Sequence, residues 1–533
     1  MSEPIRVLVA DAIAADGLAP LRQDRRFELV MRPGLTGAEL ADAIAGVDAV
    51  LVRSATRITA ESLARAEHLK VIGRAGVGVD TIDVDAATAR GIAVLTAPSG
   101  NTVSAAELTF ALLLALVRRV AAADRSMKAG EWDKKSFSGT ELYGKTLGLV
   151  GAGRIGSEVA KRARAFGMRI LCYDPFLTEE RAQTLEVELV SLDDLVARAD
   201  VVTLHVPLTE ATAGLLSEER LRRMKKGAMI VNAARGGLVD ERALLRLLEE
   251  KHLGGAALDV FEQEPLPADH PLRRLSTVVL TPHLGASTAE AQQNVALEIA
   301  EAVRAALIDG DLSRAVNAPS LGGEEMRRIA PLLSLAERLG RLGAALATGP
   351  VRRVEVRYAG EAENNPLRPI AASAMVGILS SAVGVRSVNF VNALHLAETR
   401  GIQLDRVRLD SHSAYSEYVE LRLSGRNFES TVAGALLSES HPRVVRIDAY
   451  HVDVVPRGTL IVIRNRDVPG VIGRVGTFLG EARINIAGYH QARLEAGHEA
   501  LAAVTVDETL PAEVLDRLRA LPDVIEVRQV QLG

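Results

Sequence analysis

Three side chains far apart in the chain are of the types that acid–base chemistry uses together. Arg235 lies in Asn232-Ala-Ala-Arg235-Gly-Gly237, Glu264 in Phe261-Glu-Gln-Glu264-Pro265, and His283 in Thr281-Pro-His283-Leu-Gly285. Each follows a short apolar run, so each falls at the carboxyl end of a predicted strand, where open α/β sheets bind ligands. A guanidinium grips a carboxylate through two parallel N–H···O bonds. An imidazole beside a carboxylate has its protonated form favoured, which suits a group that gives and takes a proton near neutral pH. Taken singly, each also reads as an ordinary residue: a solvated arginine, a structural histidine, a glutamate in a turn before proline. Their joint placement within one predicted domain points to proton transfer on an anionic substrate.

What such a trio can do depends on the stretch before it. The apolar run Leu147–Val150 leads into Gly151-Ala-Gly153-Arg154-Ile155-Gly156, then a helical pattern over Ile155–Ala165, then the run Met168–Tyr173 ending in Asp174. Strand, glycine turn, helix and a strand ending in a carboxylate compose a dinucleotide-binding βαβ unit. Gly151 permits the tight turn, Gly153 lets backbone approach a pyrophosphate, and Gly156 lets helix pack on strand. The helix start offers unpaired N–H groups and a positive dipole end. Asp174 can accept bonds from ribose hydroxyls and would repel a 2′-phosphate, which indicates NAD rather than NADP; its other reading is a turn former before Pro175. Beside a nicotinamide, the trio would serve hydride transfer at a 2-hydroxy acid, with a cation for the substrate, an acid/base and a partner that tunes it.

Bulk composition narrows the setting. At 533 residues the chain should hold three or four domains. Apolar residues make up 48% and aromatic ones only 3%, so the cores must be aliphatic, as suits buried parallel sheets. The 63 basic and 68 acidic residues leave a formal charge of −5, which gives no basic surplus for nucleic acid or an anionic membrane. The lone Cys172, within a predicted strand, excludes an internal disulfide and agrees with a reducing cytosol. No signal pattern opens the sequence, and no run approaches the ~20 apolar residues of a span. A soluble cytoplasmic protein is expected.

The elements that must position these residues follow from periodicity. Val7–Ala10, Ala49–Val52, Val71–Ile72 and Ala93–Leu95 read as parallel strands of a first doubly wound lobe, with Arg53-Ser54 and Gly73-Arg-Ala-Gly-Val-Gly78 at strand ends. An amphipathic helix from about Ser104 to Lys128 leads to the nucleotide unit, whose later strands are Val201–His205, Met229–Asn232, Gly255–Leu258 and Val278–Leu280. The helix Ala289–Ile308 would return to the first lobe. The expected division is 1–99 plus 287–318, a discontinuous substrate lobe; 100–286, the nucleotide lobe; 319–455, an α+β domain; and 456–533. A linker at Gly322–Glu325, a helix over Met326–Ala347 and a half-exposed strand over Val351–Tyr358 open the third unit. The last unit reads strand, helix, two strands, helix, strand, which is the ferredoxin-like βαββαβ pattern.

The stretches NAARGGLVDERAL, LDVFEQEP and TPHLGAST, with GAGRIG between two lobes, resemble the D-isomer-specific 2-hydroxyacid dehydrogenases. VRSAT, GRAGVGVDTID, NTVSAAE and the C-terminal extension are similar to the long-type members that oxidise 3-phospho-D-glycerate to 3-phosphooxypyruvate with NAD, opening serine synthesis. The implied fold is α/β, two Rossmann-like lobes followed by an α+β intervening domain and an ACT domain. The resemblance makes His283 the acid/base, Glu264 its partner and Arg235 the substrate-polarising cation. It puts Arg154 and Ile155 on the pyrophosphate, Pro207 and Thr212 near the adenosine half, and Ala233, Asp259 and Gly285 beside the nicotinamide. Gly76, Val77 and Gly78 would hold the substrate carboxylate. Arg53, Ser54, Arg74 and Asn101 would take the rest, with Lys134 or Lys135 reaching from a partner subunit. In the ACT unit, Asn465, Asp467 and Asn485 would bind the effector L-serine between two paired modules, which implies a homo-oligomer, a dimer or tetramer. Arg443 and His451 are candidates for an anion in the intervening domain, and no metal is implied. Two rival readings are a glyoxylate or hydroxypyruvate reductase of the same family and a non-catalytic NAD-sensing scaffold.

Overall fold

The structure is a computed structural model that describes residues 3–533 except 320, 322, 362–365, 385–386, 412–413, 439–440 and 496–497. Five parallel strands, Ile5–Val9, Phe27–Met31, Ala49–Val52, Val71–Arg74 and Ala93–Thr96, lie in the spatial order second, first, third, fourth, fifth. The inner strands are buried almost throughout, as a parallel sheet covered on both faces requires. Strand order reverses between Ile5–Val9 and Ala49–Val52, so Asp11 and Arg53 flank the crevice at their carboxyl ends. Phe27–Met31 escapes the sequence reading because, as an edge strand, it fully buries only Phe27.

The second sheet holds seven parallel strands. From Thr146–Val150 the chain adds Arg169–Tyr173 and Glu188–Leu189 to one side, then Val201–Leu204, Met229–Asn232, Gly255–Leu258 and Val278–Leu280 to the other. Its switch point therefore falls at Val150-Gly151 and Leu204-His205. Gly151 turns the chain with φ 91°. A Cβ on Gly156 would stand 2.0 Å from the Gly151 carbonyl oxygen, so the helix Arg154–Ala165 closes onto the strand only with glycine there. His205 lies under this turn: its N–H donates to Val150 at 2.8 Å and its Nε2 is 3.0 Å from the Thr203 hydroxyl. Burial pushes its imidazole down to about 4, so the ring is neutral at ordinary pH.

The single helix expected from Ser104 to Lys128 is two. Thr102–Val117 is largely buried, whereas Val120–Lys128 buries no residue. The break falls where the apolar run meets Arg118-Arg119; Arg119 adopts left-handed backbone (φ 55°) and donates to the Ser136 carbonyl at 2.7 Å. Ala289–Asp309 returns to the first sheet, packing Val295, Ile299 and Val303 against Val7, Leu51 and Leu95.

Beyond it, helix begins at Gly323, where the sequence suggested linker; Gly322 lies outside the described residues. A six-stranded sheet follows, covered by the helices Gly323–Leu346 and Leu367–Val383. These helices touch backbone to backbone: a Cβ on Gly377 would meet the Glu337 carbonyl oxygen at 1.9 Å, and one on Gly340 the Ala374 carbonyl oxygen at 2.2 Å. The terminal unit is a four-stranded antiparallel sheet, Ile486–Arg493, Glu499–Val506, Thr459–Arg466 and Val524–Gln531 in spatial order, with helices Val471–Glu481 and Ala512–Arg519. In its central strand Ile461 and Ile463 face those helices, while the alternate Leu460 and Val462 join Leu335, Leu339 and Leu342 in the neighbouring core.

Two outcomes test this packing. Gly377→Ala should force the helices apart and destabilise that unit by about 2 kcal/mol or more, read as a lowered urea midpoint. His205 in the unfolded chain takes up its proton near pH 6.5 but in the folded lobe only near 4. Stability is therefore full above 6.5 and falls as pH drops through that window, by up to about 3 kcal/mol. Urea unfolding at pH 7.5 and 4.5 should show a slope that His205→Gln reduces; an equal slope in both proteins would contradict the part-buried, neutral ring.

Candidate active site

His283 follows the strand Val278–Leu280 and adopts left-handed backbone, φ 57°, with its N–H bonded to the Asp259 carbonyl at 2.9 Å. Its Nδ1 stands 2.8 Å from Glu264 Oε2, while Glu264 Oε1 accepts the Phe261 N–H at 3.1 Å. The carboxylate is thus fixed by its own loop and orients the ring. Among the described residues Nε2 has no partner, and the half-exposed ring lines a cleft of about 830 Å³ between the lobes. Asp259, expected beside the nicotinamide, uses both carboxylate oxygens on the loop that carries His283. Oδ1 accepts the Thr281 hydroxyl at 2.6 Å and the Leu284 N–H at 2.8 Å, and Oδ2 accepts the Gly285 N–H at 3.0 Å. Burial pushes its carboxyl above the usual range, against those donors.

Across the cleft stands the first lobe. Ser54, Arg57, Arg74 and Asp80 line the same space as Glu264 and His283. Arg235, from the strand end after Met229–Asn232, crosses between lobes: its Nε is 3.5 Å from Asp80, and a Cβ on Gly78 would meet its guanidinium. Arg74 donates to the Ala75 carbonyl at 3.0 Å, and its Nε is buried without a partner among the described residues. Burial, then the positive charges of Arg53 and Arg235, push its guanidinium below the ordinary value, which places three cations close together. Gly76, at φ 153°, gives its N–H to the Arg74 carbonyl at 2.8 Å. Of the three amides expected for a carboxylate, only those of Val77 and Gly78 lack a backbone acceptor among the described residues. Asn101 precedes the helix Thr102–Val117, and its Oδ1, with the hydroxyls of Thr102 and Ser104, is buried without a partner.

The nucleotide cradle fits a dinucleotide. Gly153 caps the helix Arg154–Ala165 without a side-chain bond, and a Cβ there would meet open space, so the first amides face a free volume beside Arg154 and Ile155. Asp174 lies at the next strand end, where its carboxylate accepts the Ala152 N–H at 2.9 Å and so sits against the glycine turn. Thr212 donates to the Pro207 carbonyl at 2.6 Å, closing the loop after the switch-point strand, and Ala233 is half-buried at the end of the strand beyond it.

Other expected residues do not meet within one chain. Asn465 is 1% exposed, and its amide donates to the Arg466 carbonyl at 2.8 Å. Asp467 pairs with Arg493 at 3.4 Å, and Asn485 donates to Asp507 at 2.7 Å. Asn465 and Asp467 lie by Arg493, whereas Asn485 lies at the opposite end of the strand Ile486–Arg493, roughly 25 Å away. Arg443 pairs with Asp453 at 3.1 Å, and His451 is exposed on a neighbouring strand. Lys134 and Lys135 are exposed on the arm after Val120–Lys128. Sequence reasoning missed Asp11, Arg57 and Asp80, although Asp11 carries the strand-end signal that singled out Arg53.

Comparison with known proteins agrees along the chain. Residues 110–285 match the NAD binding domain of D-isomer specific 2-hydroxyacid dehydrogenases, 328–448 the D-3-phosphoglycerate dehydrogenase intervening domain, and 459–523 the ACT domain. D-3-phosphoglycerate dehydrogenase of Synechocystis is 42% identical over 99% of this chain and 95% of its own length. That of Bacillus subtilis is 41% identical over 99% of both. Among solved structures, a Thermus thermophilus protein (TM-score 0.54, 42% identity) and a glyoxylate reductase from Paecilomyes thermophila (TM-score 0.54, 32%) cover 58% and 59% of this chain, and 100% and 99% of their own. With two lobes, intervening unit and terminal module all matched in order, the chain belongs to the D-3-phosphoglycerate dehydrogenase family.

Proposed function

We propose that the chain oxidises 3-phospho-D-glycerate to 3-phosphooxypyruvate, the first step of L-serine synthesis, and works in the cytoplasm. The observation that carries the reading is the 2.8 Å His283–Glu264 pair, opening on a cleft whose far wall is cationic. NAD, when bound, supplies the hydride acceptor. His283 Nε2, free of protein partners, removes the C2 hydroxyl proton, and Glu264 across the ring steadies the imidazolium that results. Arg235 leaves the exposed Asp80 and grips the substrate carboxylate and C2 oxygen, with the Val77 and Gly78 amides beside it. The phosphate, with about two negative charges, is met by Arg53 and Arg74, and by Lys134 or Lys135 of a second subunit.

In a steady-state assay with NAD, His283→Ala should lower kcat by about 10²–10⁴-fold. Unchanged turnover in that variant would favour a scaffold. Equal kcat/KM for 3-phospho-D-glycerate and D-glycerate would favour the reductase reading, which needs no phosphate grip.

The terminal module supports a serine site built from two copies. Since Asn485 lies at the far end of its own sheet from Asn465 and Asp467, the three meet when two modules pair in opposite senses across a homo-oligomer interface. Calorimetry should show L-serine binding to the wild type, with affinity about tenfold or more weaker in Asn485→Ala. No heat with the wild type would remove the effector reading.

A further inference from the structure

We infer that Asp11 is the positioning residue of the anion-gripping loop 53–57. It lies at the switch point of the first sheet, just past the strand Ile5–Val9 and beside the end of Ala49–Val52. The side chain is 4% exposed and makes no ion pair among the described residues. Its acceptors are instead used on the neighbouring loop. Oδ2 accepts the N–H of Arg53 and, at 3.2 Å, that of Thr56; Oδ1 accepts the Thr56 hydroxyl at 2.7 Å. Thr56 is itself buried, and the Arg53 guanidinium folds back to the Ala12 carbonyl at 3.1 Å. One carboxylate thus pins both ends of a turn whose intervening Ser54 and following Arg57 face the cleft that holds His283.

A loop anchored only for stability would not need to stand here. Three donors converge on one buried acceptor at the position where doubly wound sheets take ligands, and the residues fixed, Arg53 and Thr56, bracket Ser54 and Ala55, which line the cleft. To the loop the carboxylate supplies geometry. An asparagine can turn its oxygen to both N–H groups and give its amide to the Thr56 hydroxyl, which then donates to the Ala10 carbonyl, 3.2 Å away. Alanine leaves the three donors unmatched and the loop free to shift.

The inference rests on the reading of Arg53 as a substrate cation, and the test separates the two. In the full-length enzyme, Asp11→Ala should raise KM for 3-phospho-D-glycerate about tenfold or more, with kcat within about threefold and KM for NAD unaltered. Asp11→Asn should bring that KM back to within about twofold of the wild type. A folded Asp11→Ala enzyme with unaltered KM, or Asp11→Asn as impaired as Asp11→Ala, overturns the assignment. Should Asp11→Ala fail to fold, Thr56→Val decides: a KM raised several-fold supports the anchor, and an unaltered KM overturns it. Arg53→Ala is the control. If it raises KM while Asp11→Ala does not, only the positioning role falls; if it leaves KM unaltered, the substrate reading of the loop falls with it.

Discussion

The guanidiniums of Arg53 and Arg235 both repel that of Arg74 at the edge of the cleft, and the arrangement around the site answers that repulsion. Burial first, and then the charges of Arg53 and Arg235, weaken the hold of Arg74 on its proton. Asp11 and Asp80 oppose the effect, one buried and fixed, the other 69% exposed and only 3.5 Å from Arg235 Nε. An exposed pair of that length contributes little. Asp80 is therefore a counter-ion that an incoming carboxylate can replace at small cost, whereas Asp11 is part of the scaffold. An anion seated among these guanidiniums would replace mutual repulsion with attraction.

Topology brings the opposing wall to the same place. Both lobes are doubly wound parallel sheets, and each presents loops at the carboxyl ends of its strands. The nucleotide lobe supplies the His283–Glu264 pair there, at some expense. His283 in left-handed backbone costs on the order of 1 kcal/mol. Asp259 offsets it, since its carbonyl and both carboxylate oxygens tie down residues 281–285 from a fully buried position. The loop that carries the His283 ring is thus held at several points, and its partner Glu264 is held by the Phe261 N–H.

What could be read in the sequence was whatever local chemistry writes into a short window. The glycine turn and Asp174 sit directly after an apolar run, and Arg235, Glu264 and His283 sit within a few residues of one; the structure puts all of them in loops past the carboxyl ends of strands. Asp11 sits after such a run too, but an aspartate there looks like any turn former until Thr56 and the Arg53 amide are seen to close on it. Long-range partnership is what a window hides. The break at Arg119 depends on Ser136, and the separation of Asn485 from Asn465 depends on strand register. Nor does GRAGVG announce that one of its amides is already taken by the Arg74 carbonyl.

The same dependence on partners governs the C-terminal half. The terminal sheet has two apolar faces, one on its own helices and one on the helix Gly323–Leu346, so its second face is core to another unit. That helix meets Leu367–Val383 through glycines with no room for a methyl group. Past it, Asn389 donates to the Gly91 carbonyl at 2.8 Å and Val391 enters the core of the first lobe, under the sheet that carries Arg53 and Arg74. Close-packed interiors do not deform continuously. A shift of the terminal sheet has to be taken up in the core it shares, and the tight helix contact leaves rigid displacement as the cheaper response. The Asn389 loop is where such a displacement would reach the first lobe, because there a side-chain amide bonded to the Gly91 carbonyl and a buried side chain join the two.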